Sequence, residues 1–286
     1  MAAPPRGIPA ESLSGVIAYP VFNGDGYDIF FGQADGSGTR FFRAEASQPA
    51  FSPDGSRIAL HSWRSDQRGI VTLPVAGGNG TLVSNFVEDQ LPTWSADGSQ
   101  ITLLSRRSGS RKSELFRVGS TTEIDPGTLL GEGEYPTLGA NGQFVFKGWG
   151  STGVGLRLAS PTLGNITPLT DSDQDTAPAL SPGGERVAFM SRRSGNWEIY
   201  VVDADGGNLQ RLTDDPAQDG LPAWSPDGRA LAFVSNRGGQ WAVWAITPNG
   251  DDAQMLFEMQ GSPDGFVGTD NSASRGWAEE RISWAR

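Results

Sequence analysis

The chain has no cysteine and a single histidine, His61. The first absence excludes a disulfide framework, a thiolate nucleophile and any zinc or iron–sulfur site built on sulfur. The second excludes a multi-histidine metal centre, and any Ser-His-Asp triad would have to use His61. Basic residues are scarce too: 22 Lys and Arg stand against 33 Asp and Glu, a formal charge of −11 over 286 residues. Their densest grouping is Arg106-Arg107 with Arg111-Lys112, so nucleic acid and anionic lipid are poor partners. No stretch reaches the roughly 18 apolar residues that cross a bilayer, and no membrane insertion is expected. No Gly-x-Ser-x-Gly elbow, Walker loop or dinucleotide fingerprint is present. Residues 1–14 lack the apolar core of a signal peptide and read as a disordered lead-in to one domain over 15–286.

Glycine and the large aromatics are abundant: 39 Gly, 9 Trp and 14 Phe. They fall in a repeat. Pro49-Ala50-Phe51-Ser52-Pro53-Asp54-Gly55 recurs as Pro92-Thr93-Trp94-Ser95-Ala96-Asp97-Gly98 and Pro222-Ala223-Trp224-Ser225-Pro226-Asp227-Gly228. Weaker copies begin at Pro136 and Pro178, and the five prolines are 42 to 44 residues apart. Each motif precedes a short alternating apolar run such as Val187-Ala188-Phe189, then a Ser/Arg/Gly loop and a run such as Trp197-Glu198-Ile199-Tyr200. Asp-Gly and Asn-Gly supply the positive φ of tight hairpins. Four short antiparallel strands every ~43 residues describe a propeller blade.

The two ends supply complementary parts of one more unit. Residues 15–43 contain runs two to four of a blade and lack the first, whereas Ile282-Ser283-Trp284-Ala285 matches the first run with Trp284 at the Trp224 position. The chain is therefore expected to be all-β: six four-stranded antiparallel blades, with the C-terminal strand completing the N-terminal blade. Such a clasp hides two sheet edges.

The pattern Pro-x-Trp-Ser-Pro-Asp-Gly, followed by Ile-Ala-Phe-like runs, Ser-x-Arg and Ile-Tyr-Val, resembles the repeat of TolB-like β-propellers, the WD40-like Pro-Asp family. The likeness covers residues 15–286 and has near-consensus units at 175–213 and 219–256. The WD repeat proper fits less well, since Gly-His and Trp-Asp dipeptides are absent. The resemblance implies a periplasmic or extracytoplasmic setting. Relatives of this repeat include binding scaffolds, propellers that gate peptidases, and oligogalacturonate lyases whose chemistry would need a histidine-rich metal centre. Fold alone does not choose among them.

Chain direction sorts the loops. The Ser-Pro-Asp-Gly and Asp-Gly-Gly turns share one face; the loops between second and third strands, and between blades, share the other. On that second face an acidic residue stands three places before the motif proline, as Asp89, Asp175 and Asp219, with Glu279 the counterpart before Ile282. Arginine follows the second strand as Arg64, Arg107, Arg193 and Arg237. Asp89/Arg107, Asp175/Arg193 and Asp219/Arg237 are complete pairs, while Gly133 and Gly150 occupy both places in the fourth unit. Two readings stand: intrablade ion pairs, or a carboxylate ring at the channel mouth that holds Ca²⁺, with Asp175 and Asp219 as ligands. Trp149, Trp197 and Trp241 lie on the same face and suit protein recognition. Residues 257–277 exceed the repeat by about 16 residues and form either a lid or a plain insertion on that face.

The expectation is a non-enzymatic propeller, a monomer or a module of a larger protein, that binds a protein or peptide through these nine residues and the channel mouth. It requires no cofactor unless Ca²⁺ occupies the ring. The alternatives are that calcium-bearing ring and a carboxylate-based glycan lyase or hydrolase.

Overall fold

A computed structural model describes residues 12–109, 112–139, 142–265 and 276–286. Six four-stranded antiparallel sheets form a ring, numbered here from the N-terminal blade. Blades 2 to 6 each take four consecutive strands. Their innermost strands are Ala46–Phe51, Gln90–Trp94, Glu134–Leu138, Asp175–Leu180 and Asp219–Trp224. Blade 1 is shared: Ser283–Ala285 pairs with Val16–Phe22, Ile17 facing Trp284, and that strand pairs onward with Tyr27–Gln33. The expected clasp is present. The expected lead-in falls largely on residues 1–11, outside the described residues; Leu13 is already buried, and the Ser14 carbonyl accepts the Trp284 indole N–H at 3.0 Å.

The repeat motif builds the turn between the first two strands of a blade. The Ser52 hydroxyl donates to Asp54 at 2.6 Å and accepts from the Arg57 N–H at 3.0 Å, closing the hairpin from inside. Gly55, Gly98 and Gly228 take φ of 70°, 69° and 72°, a conformation that a side chain disfavours. Serine hydroxyls bonded to Asp54 and Asp97 hold both carboxyls down at about 2.

A second repeated device sits one residue before each motif proline. Gln48, Leu91, Tyr135, Ala177 and Leu221 all have φ between 48° and 54°. Each lies where the inner strand slips register against its neighbour, a bulge between Ser47 and Ala50 in blade 2 and at the matching places in blades 3 to 6. Bulges bend the strand and leave backbone groups unpaired in the ladder. In blades 2 and 3 the freed Gln48 and Leu91 N–H groups donate to the Glu280 and Gln48 side chains. The Trp94 and Trp224 indoles then clip neighbouring blades together, donating to the Ala50 and Ala179 carbonyls at 2.8 and 2.9 Å.

Candidate binding site

The three Asp/Arg pairs form within blades. Arg107 lies 3.3 Å from Asp89, Arg193 2.5 Å from Asp175, and Arg237 2.5 Å from Asp219. All three carboxylates are wholly buried. Burial pushes the Asp89 and Asp219 carboxyls up, against the pull of their arginines and of serine hydroxyls. Arg107 is further enclosed by Phe86 and Phe116, at 4.4 and 3.9 Å from their ring centres. These side chains pair with one another inside their own blades. Where the repeat lacks the acid, the arginine turns elsewhere: Ala46 replaces it in blade 2, and Arg64 pairs with exposed Asp66 at 3.1 Å. In blade 4 both members are Gly, and Arg157 lies beside Gly148 and Gly153. Its guanidinium donates to the carbonyls of Thr152 at 2.8 Å and Thr170 at 3.0 Å, holding down the glycine-rich loop.

The carboxylate ring is not assembled. Asp175 and Asp219 each face their own arginine, and no group of three acidic or histidine side chains converges among the described residues. The tryptophans of this face are engaged as well. Trp149 donates to the Ser113 carbonyl at 3.1 Å. Trp197 and Trp241 pack against Trp277, at 6.2 and 5.2 Å between ring centres. Trp277 belongs to the extra segment, whose described parts dock on blades 1, 5 and 6. Phe22 donates its N–H to Ser262 at 2.8 Å, Tyr27 its hydroxyl to Gly265 at 3.2 Å, and a Cβ on Gly220 would fall 2.5 Å from the Trp277 ring. Residues 266–275, the middle of that segment, lie outside the described residues.

The main cavity opens on the opposite face. It occupies about 590 Å³ on the ring axis, within the range of ligand pockets. Its rim is made of the motif turns, with Pro53, Ala96, Pro182 and Pro226; its walls include Ala50, Thr137 and Ala179. None of the nine residues expected from the sequence lines it. The cavity therefore lies away from the loop face on which those nine residues stand.

Its floor comes from the C-terminal segment. Glu280 accepts the Gln48 N–H at 3.1 Å, and Gln48 in turn accepts the Leu91 N–H at 2.9 Å and donates to the Glu279 carbonyl at 3.0 Å. Arg281, in the place that Leu91 and Leu221 hold in other blades, crosses from blade 1 to the Pro92 and Pro136 carbonyls of blades 3 and 4, at 2.6 and 2.7 Å. Bulged inner strands thus present carbonyls that an arginine spanning the channel collects. The sequence carried a signal for this: a cation where most blades have an apolar residue.

A family model described as the TolB beta propeller domain matches residues 170–266. The Tol-Pal system protein TolB of Francisella tularensis subsp. holarctica is 28% identical over 220 residues, covering 71% of this chain and 50% of that protein. The crystal structure of TolB from Acinetobacter baumannii superposes with a TM-score of 0.76 at 19% identity, over 96% of this chain and 67% of that one. The chain is a six-bladed β-propeller similar to that of TolB. It spans about half the length of the curated relative it matches. The fold also serves enzymes, since the tricorn protease superposes with a TM-score of 0.64 at 19% identity over 88% of this chain and 27% of that one.

Proposed function

We propose that this TolB-like propeller is a binding module that holds a protein or peptide segment in the channel mouth on the motif-turn face, and that it performs no chemistry there. The axial cavity carries the reading. It is large enough for a few residues of an extended chain, and its walls combine tryptophan edges, proline rings and small side chains. The single histidine supplies no base there: His61 is buried in blade 2 against Trp63, 4.8 Å between ring centres, and is no part of the cavity. The Tol-Pal name of the Francisella relative favours a protein partner within an assembly.

The test is selection of random peptides displayed against the intact chain, with affinities read by fluorescence anisotropy. Peptides should lose binding when Ala96→Trp narrows the exposed rim and keep it when Trp197 and Trp241 become alanine. Binding that ignores Ala96→Trp, or turnover of a peptide or polysaccharide substrate, would overturn the reading.

A further inference from the structure

Arg281 is unusual among the arginines on the channel and blade ends. Asp89, Asp175 and Asp219 neutralise theirs, but Arg281 makes no ion pair among the described residues, and burial alone acts on it, pulling its guanidinium down to about 10. Two of the five N–H donors of a guanidinium are spent on the Pro92 and Pro136 carbonyls. The remainder belong to a side chain that lines the cavity. Arg281 stays partly exposed and lines the cavity, so the donors that the two carbonyls do not take can receive an anion. The arginine also cannot relax outward. Its anchors lie across the ring from its own blade, so the guanidinium is held near the axis.

We infer that Arg281 makes the channel floor a carboxylate-reading site, so that the cavity selects peptides that lower an acidic group onto the guanidinium. This rests on the channel being the binding site. A planar guanidinium with fixed orientation suits a carboxylate edge, which bidentate geometry recognises better than a neutral amide does. The tryptophan and proline side chains of the wall favour aromatic or aliphatic neighbours on the same peptide. An acidic side chain and a peptide C-terminus share this chemistry.

Three peptide libraries distinguish them on the intact chain. One is amidated with Asp or Glu fixed at its centre; the second is amidated with Asn or Gln there; the third is neutral with a free C-terminal carboxylate. One or both carboxylate libraries should bind at least about tenfold more tightly than the amide library, the usual gain from a hydrogen bond to a charged group. Whichever is preferred names the source. Arg281→Gln should abolish that preference, Arg281→Lys should retain a weaker one, and Ala96→Trp should block all three libraries. Equal binding of all libraries in the unmodified chain, still blocked by Ala96→Trp, would overturn the role of Arg281 and leave the channel reading standing. Binding insensitive to Ala96→Trp would remove both. Should Arg281→Gln fail to fold, the preference of the unmodified chain and its weakening in Arg281→Lys decide the matter. A galacturonate oligomer that binds the channel where no peptide library does would place a glycan acid there and overturn the inference.

Discussion

Replacing Arg237 by methionine isolates what an interior ion pair contributes to a blade. Methionine keeps most of the stem that packs beside Phe233 and Trp244, whose ring centres lie 5.4 and 4.7 Å from the guanidinium carbon, and removes only the charged head. Asp219, wholly buried, is left with the Ser235 hydroxyl for company. Orphaning a buried charge costs about 3–5 kcal/mol. Against a total stability of roughly 5–15 kcal/mol that is a large share. At about 2 °C per kcal/mol for a chain of this size, the midpoint of melting should fall by about 6–10 °C. The pH dependence gives a sharper signature. Burial raises the Asp219 carboxyl, so the native state holds that proton more tightly than the unfolded chain does. The penalty is therefore absent below the ordinary carboxylate range and grows as pH rises through the raised value. Without Arg237 the rise is larger, so urea denaturation should find the deficit of the variant greatest at pH 7 and smaller near about pH 4. Adding Asp219→Asn should restore most of the loss. A deficit below about 1 kcal/mol, or one that does not change with pH, would refute the claim that the pair is interior and coupled.

Other perturbations probe closure and packing. Trp284→Ala empties the clasp and removes the bond to Ser14, and should cost about 3–5 kcal/mol by denaturant titration. Removing residues 283–286 bares the edge of Val16–Phe22, so light scattering should report concentration-dependent association where the intact chain shows none. Gly32→Ala should destabilise by about 1–3 kcal/mol, because its Cβ would fall 2.2 Å from the Phe257 ring across the interface of blades 1 and 6.

The architecture was legible because its determinants are local. Ser52, Asp54 and Gly55 form a turn that needs those side chains at that spacing, and the same set recurs in blades 3 and 6. The Asp/Arg pairs were legible for a related reason: Asp219 faces Ser235 across two adjacent strands, and Arg237 follows two residues later. The cavity on the motif-turn face was not legible from the same reasoning. Aromatic and charged residues drew attention to the long-loop face, where Trp197 and Trp241 are spent on Trp277 and the acids on their arginines. The cavity depends on positive-φ residues as unlike as Gln48, Tyr135 and Ala177, whose conformation comes from the bulge and not from residue type. Its floor is assembled by Arg281, about 145 residues in sequence from its Pro136 partner, a contact that only the closed ring creates.

Hydrogen exchange on the intact chain, with and without a selected peptide bound, tests the central claim most directly. Slowed exchange should appear in the motif turns at 53–56, 96–99 and 226–229, which rim the cavity, and leave 192–197 and 236–241 unchanged. Protection confined to those latter two segments would return the binding surface to the long-loop face and contradict the account.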